Sequence, residues 1–201
     1  KKGKPMLVCE DIQELFPKNP HTVEFVSVKS DKKALEISLA QIIITALRLK
    51  PKYIVVGEVR GPEAEAAVEG METGHSTIFS MHGGKAINII NRIVTKYLMA
   101  MPTLGIEVVE RIIGSAVDYI CIQDNIPGVG RKVTSITEVS YDYEKRTVAL
   151  KTICRFDMRK KDWIWENTID EERAEKMMVR GVPVEQVDKW INEDFSKTKE
   201  A

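Results

Sequence analysis

Apolar and polar positions along the 201-residue chain follow two different kinds of order. Residues 6–9 (Met-Leu-Val-Cys) form a short apolar run, and residues 22–28 alternate Val23, Phe25 and two more valines as a strand does. Residues 38–49 repeat Leu39, Ile42, Ile43, Ala46 and Leu47 at helical spacing, and Pro51 stops the pattern. Residues 53–56 (Tyr-Ile-Val-Val) are apolar at every position, as in a strand buried on both faces of a parallel sheet. Pro62 sits at a favourable first-turn position beside Glu63 and Glu65, opening a helix that runs to about Glu72 and terminates at Gly74. Residues 76–81 read as a strand. Residues 85–98 are amphipathic through Ile87, Ile90, Ile93, Val94 and Tyr97, and residues 106–117 form a further helix. This alternation predicts an α/β fold with a mainly parallel sheet.

From Asp118 the order changes. The β-rich runs at 119–123, 132–141, 147–155 and 162–165 are separated by turn signals at 127–130, 143–146 and 157–161, which predicts antiparallel hairpins. Gly181 and Pro183 then split two short helices at 170–180 and 184–193, and the polar residues 196–201 are expected to fray.

Composition narrows the classes. Apolar residues at 43% suffice for a core, and 30 basic against 30 acidic residues leave no net charge. That balance argues against broad, charge-driven binding to nucleic acid or anionic membrane. No apolar run approaches the roughly 20 residues of a membrane helix, and the basic first residues lead into a run too short for a signal peptide. Cys9, Cys121 and Cys154 are odd in number, far apart and without a CxxC, so they read as small core hydrophobes in a reducing compartment, not a disulfide framework or zinc site.

Three β runs end in polar chemistry: residues 6–9 in Glu10-Asp11, residues 53–56 in Gly57-Glu58, and residues 78–81 in His82. In open α/β sheets ligands bind beyond the carboxyl ends of the strands, so these groups are expected to converge on one crevice. Carboxylates suit Mg²⁺ and water activation, and histidine can bond a phosphate oxygen.

The string Leu-Arg-Leu-Lys-Pro-Lys-Tyr-Ile-Val-Val-Gly-Glu-Val-Arg-Gly over 47–61, followed by Thr73-Gly74-His75 and Ser80-Met81-His82, closely resembles the secretion ATPase superfamily. These are the motors of type II and type IV secretion, type IV pili and tight-adherence pili. In that family G-E-x-R closes the Walker B strand, T-G-H…H is the His box, and an E-D pair is the Asp box. The resemblance continues through Thr137-Glu138-Val139 and residues 153–156, so it covers roughly residues 6–156. It implies a RecA-like P-loop NTPase core over 1–156, followed by a hairpin end and helical appendage over 157–201. It implies ATP and Mg²⁺ as ligands, with Glu10 as general base for the attacking water and Asp11 as its partner. Glu58 would support Mg²⁺ through water, His82 would reach the γ-phosphate, and His75 would be the first His-box histidine. Arg60 and Arg48 would sense phosphate or bridge subunits. The implied whole is a cytoplasmic hexamer on the inner face of the cell membrane, docked on an inner-membrane platform protein and driving pilin or substrate export.

The match has departures. Lys52 stands where the family often has Asp, Ser80 where it often has Thr, and Gly83-Gly84 where Asn or Thr often follows the histidine. No G-x-x-x-x-G-K-[ST] occurs: Gly3-Lys4 precedes Pro5, and Gly84-Lys85 precedes Ala86. Without that loop there is no backbone cradle or lysine for the phosphates. The expectation is a fragment that starts after the Walker A helix, lacks the family's N-terminal domain and is hydrolytically inactive alone. A nonenzymatic, nucleotide-responsive assembly or regulatory subunit and a conjugation-type DNA-transfer ATPase are the rival readings.

Plainer roles stand beside these. Glu10-Asp11 would otherwise be a solvated strand end, Glu58 would pair structurally with Arg60, and His75 would pack at a helix end. His21 reads as a loop residue, the tryptophans as covers for the hairpins or a partner surface, and the basic run 155–161 as a solvated turn.

Overall fold

The computed structural model describes residues 3–192. The tail expected to fray at 196–201, and the expected helix end at Glu193, lie outside the described residues. The chain divides into two compact units: residues 1–82 with 89–117, and residues 83–88 with 118–201. The change of pattern at Asp118 coincides with that division, whereas the boundary expected after Phe156 falls inside a strand.

The first unit is built on four parallel strands: β1 (Met6–Glu10), β2 (Thr22–Val26), β3 (Tyr53–Val56) and β4 (Ser76–Phe79), in the order β2-β1-β3-β4. The two central strands are the most apolar, and Leu7, Val8, Cys9, Ile54 and Val56 are buried. At the edges, by contrast, Val23, Val26 and Ile78 are exposed. Helices α1 (Leu39–Arg48), α2 (Glu63–Glu72), α3 (Ala86–Ala100) and α4 (Ile106–Ala116) follow the predicted periodicity.

The boundaries of α1 and α2 have local causes. Ser38 opens α1 with a capping box: its hydroxyl accepts from Gln41 N–H at 3.3 Å, while Gln41 Oε1 accepts from Ser38 N–H at 2.8 Å. Lys50, at φ +50°, turns the chain out of α1 before Pro51, and Gly74, at φ +88°, turns it out of α2. Pro62 sits at the N-cap of α2, one position before the first turn expected for it. Helix α2 buries Ala64, Ala66, Ala67, Val68 and Gly70, and small residues there allow a close approach. A Cβ on Gly70 would stand 3.0 Å from Thr77 Oγ1 and 3.2 Å from Leu47 Cδ2. Burial of each full-sized aliphatic side chain in this unit stabilises it by about 1.5–3 kcal/mol.

Two strand expectations change in detail. The run 22–28 ends as a strand at Val26, and Val28 instead makes an isolated antiparallel bridge to Ile37 around a 3₁₀ turn, Lys33–Leu35. Strand β4 ends at Phe79, leaving Ser80, Met81 and His82 in the exit loop.

The second unit is a consecutive antiparallel sheet of β5 (Tyr119–Ile126), β6 (Gly130–Asp142), β7 (Thr147–Asp157) and β8 (Asp162–Trp165), followed by α5 (Glu171–Val179) and α6 (Val184–Asn192). Its turns use Gly128 and Gly130 at positive φ, and carboxylates that accept from the chain ahead: Asp157 Oδ1 takes Arg159 N–H at 2.7 Å and Lys160 N–H at 3.1 Å. The basic run 155–161 is therefore the end of β7 and its turn, with Arg155 paired to Glu166. Arg173 on α5 is buried, donating to Asp118 and, at 2.5 Å, to the Val139 carbonyl. Glu138, buried on β6, accepts from Tyr119 Oη at 3.1 Å, and burial holds its carboxyl above the ordinary range against the opposing charge of Lys151. Trp163 packs edge-on against Phe156, and Trp190 packs against the core around Ile153 and Val187. Cys9 and Cys154 are buried as expected, but Cys121 is exposed, because β5 turns Ile120 and Ile122 inward and sets Cys121 on the other face.

Ile54 sits at 0% exposure and Ile78 at 64% in the same sheet. Ile54→Ala is expected to lower unfolding free energy by about 2–5 kcal/mol, and Ile78→Ala by no more than about 0.5 kcal/mol. Urea unfolding of each variant checks the contrast.

Candidate functional site at the carboxyl edge of the parallel sheet

Because β1 to β4 run in one direction, their exits lie along one edge of the first unit. Glu10 is the last residue of β1 and is only 3% exposed, an unusual place for a carboxylate. Its Oε1 accepts from Glu14 N–H and Leu15 N–H, both at 3.2 Å, so the loop after β1 wraps around it. Beneath it lies Gly57, the first residue after β3, whose N–H donates to the Cys9 carbonyl at 2.9 Å. A Cβ on Gly57 would stand 2.9 Å from Glu10 Cγ, so only glycine lets the two strand exits approach this closely. Asp11 is exposed at the rim, where Ser27 Oγ donates to its Oδ1 at 2.7 Å.

Glu58 follows and is partly buried. Its Oε2 accepts from Arg60 at 2.5 Å, and its Oε1 lies 3.2 Å from His82 Nε2. The Arg60 hydrogen bond is the main reason its carboxyl is held below the ordinary range. Partial desolvation opposes this, and the charges of Arg60, His82 and Arg92 add to it. Ser80 ties the exit of β4 to that of β3: its hydroxyl donates to the Gly57 carbonyl at 2.5 Å, and its carbonyl accepts from Val59 N–H at 2.9 Å. The resulting open cleft is lined by Glu10, Asp11, Ile12, Glu14, Gly57, Glu58 and Arg60.

The sheet thus brings together Glu10, Asp11, Glu58, Arg60 and His82. It does not bring His75 or Arg48 to them. His75 precedes β4 at the amino edge, where its N–H donates to the Gly70 carbonyl at 3.1 Å and its Nδ1 lies 3.2 Å from Thr73 Oγ1. Arg48 is exposed in the last turn of α1, which returns the chain to the same amino edge. A four-residue strand separates the two edges by about 13 Å. Sequence reasoning gave no site role to Glu63, Ser80 or Arg92. A first-turn acid at 63 and a hydroxyl at 80 were visible in the sequence, but nothing in it placed Arg92 within electrostatic reach of Glu58.

Among the described residues no group of three or more His, Cys, Asp or Glu side chains is placed to hold a metal ion. The donors present at the cleft are hard carboxylate oxygens, which fit Mg²⁺ when phosphate oxygens and water complete its shell. The chemistry available is water orientation by Glu10 and charge stabilisation around an ionised Glu58.

The family model for type II/IV secretion system protein matches residues 1–194. A putative conjugal transfer protein of Mycobacterium tuberculosis is 41% identical over 71 residues, covering 34% of this chain and 20% of its own. The type IV secretion system protein VirB11 of Brucella suis is 29% identical over 155 residues, covering 73% of this chain and 42% of its own. The crystal structure of the VirB11 ATPase from the Brucella suis type IV secretion system, in complex with sulphate, superposes with a TM-score of 0.59 at 25% identity, over 67% of this chain and 40% of that one. This chain therefore spans less than half the length of each of these relatives.

Gly57→Ala is expected to push Glu10 out of its seat and to destabilise the fold by about 1–3 kcal/mol. Gly84→Ala, where a Cβ meets nothing within 4 Å, is expected to stay within about 0.5 kcal/mol of the parent. Equal urea midpoints for the two variants would contradict the close approach described at Gly57.

Proposed function

This chain belongs to the type II/IV secretion system protein family, and from that premise we propose that it forms part of the ATP-hydrolysing motor unit of a secretion or pilus-assembly machine. The observation that carries the reading is the convergence of Glu10, Glu58 and His82 at the exits of three adjacent parallel strands. Glu10, fixed by two backbone donors and by Gly57, orients the attacking water and accepts its proton. Glu58, whose carboxyl is held below the ordinary range chiefly by its hydrogen bond from Arg60, would support the metal ion through water. His82 is exposed and, while touching Glu58, is free to reach a terminal phosphate. Asp11 holds the rim. When bound, Mg²⁺ on the nucleotide would offset the negative charge of the phosphates. The role proposed for the whole protein is a cytoplasmic hexamer on an inner-membrane platform protein, at the inner face of the membrane. No helix among the described residues is long and apolar enough to cross a membrane.

Two observations keep rival readings in view. The 201 residues contain no G-x-x-x-x-G-K-[ST], and a natural product that also lacks one would be a nonenzymatic, nucleotide-responsive assembly subunit. The resemblance to a putative conjugal transfer protein favours a DNA-transfer motor.

The natural full-length product containing these residues is expected to release phosphate from ATP in the presence of Mg²⁺. Glu10→Gln is expected to lower kcat by about 10²–10⁴-fold. Nucleotide binding without turnover by that product would favour the assembly subunit, and salt-sensitive binding to single-stranded DNA the transfer motor. The 201-residue chain alone is expected to release no phosphate above background, and a steady-state assay that finds turnover would overturn this point.

A further inference from the structure

The loop that carries Glu58 has no regular structure of its own. Residues 57–61 leave β3 and enter α2 through Pro62, which provides no side-chain cap. Two consecutive amides in that loop are held by a single oxygen: Arg60 N–H and Gly61 N–H donate to Glu63 Oε1 at 2.5 and 2.7 Å. Bonds to a carboxylate are roughly twice as strong as neutral ones, and the amino end of α2 favours a negative charge at this place. Gly61 leaves the room this needs, since a Cβ there would stand 3.0 Å from Glu63 Oε2.

The side chain anchored by this clamp is Arg60. Its guanidinium is 71% exposed and reaches Glu58 Oε2 at 2.5 Å. An exposed ion pair of this kind is weak, whereas an unrestrained arginine side chain keeps a large rotamer freedom. Left to itself the pair would spend much of its time open. Fixing the backbone at Arg60 removes part of that freedom before the pair forms.

We propose that Glu63 is a positioning residue for hydrolysis: by clamping the Arg60 and Gly61 amides it fixes Arg60, and through Arg60 the orientation of the Glu58 carboxylate. The inference rests on the proposed ATPase reading. Glu63 itself does not line the cleft, so its effect falls on turnover and not on nucleotide capture.

The test compares Glu63→Ala, Glu63→Gln, Glu63→Asp, Arg60→Ala and the Glu63→Ala/Arg60→Ala double variant in the natural full-length product. Glu63→Ala is expected to lower kcat on the order of 10- to 100-fold, with KM for ATP within about threefold. Glu63→Gln is expected to recover most of that loss, because its amide oxygen can accept the same two N–H donors. Glu63→Asp keeps the charge but is one methylene too short to hold both amides, so it should resemble alanine. The double variant should be no slower than Arg60→Ala alone, since both lie on one line of action. A mere helix cap would instead lower the melting temperature, leave kcat within about twofold and give multiplicative losses; any of these kinetic results overturns the proposal. Should Glu63→Ala fail to fold, the aspartate variant decides, and wild-type kcat in it sinks the clamp. A wild-type protein that hydrolyses nothing fails earlier and overturns the ATPase reading itself.

Discussion

Four short strands that all point the same way are the constraint on which the first unit depends. Parallel pairing of β2, β1, β3 and β4 needs crossovers. Helix α1 lies on the path into β3 and α2 on the path into β4, while residues 11–21 join β1 to β2 without a helix. The central strands are apolar up to Glu10 and Gly57. The same geometry places every strand exit on one edge and every strand start on the other. Chemistry is thereby sorted by position within each βα unit. A polar residue just after a strand joins the cleft, while a polar residue just before one is carried to the far side, whatever its neighbours in sequence. His82 and His75 are seven residues apart and are separated in this way by β4.

A buried carboxylate at the end of β1 is tolerable only because its oxygens have donors. Glu10 receives two backbone amides from the loop beyond it, and it rests on a glycine that leaves it room. Glu58 solves the corresponding problem with side chains, Arg60 on one oxygen and His82 beside the other. The two acids therefore differ in kind. Glu10 is fixed by main chain and cannot move without unwinding a loop, whereas Glu58 is oriented by side chains, one of which, Arg60, is anchored through its own backbone amide.

How much of this was legible in the sequence depended on whether the signal was local. Tyr53 to Val56 is apolar at every position and emerged as β3 with the bounds expected, and Ser38 with Gln41 makes the capping box that starts α1. The convergence of Glu10, Glu58 and His82 followed from a rule about parallel strands, so it needed only the strands to be right. His75 and Arg48 stand at the other edge of the sheet, because proximity in a motif string says nothing about which edge a residue meets. Cys121 was read as core because its neighbours are apolar, but alternation along β5 turns it outward. The clamp formed by Glu63 was half visible: an acid in the first turn of α2 was expected to sit by the helix dipole, yet its reach back to Arg60 depends on the path of a loop that no periodicity encodes.

The charge of the cleft itself sets a limit on what this edge can do unaided. Its lining includes the carboxylates of Glu10, Asp11, Glu14 and Glu58 and a single guanidinium, Arg60, already bound to Glu58. A phosphate charge brought to about 4 Å from one unscreened carboxylate meets a repulsion of roughly 4 kcal/mol near a protein surface, and several carboxylates act together here. Arg92 contributes field at Glu58 without lining the cleft. The cleft lining is therefore strongly acidic, and a phosphate group would meet little positive charge from the residues that line it. On the proposed reading, Mg²⁺ on the nucleotide would offset part of that repulsion, so an edge so rich in acids makes chemical sense as a wall for a metal–nucleotide complex and not for a bare phosphate.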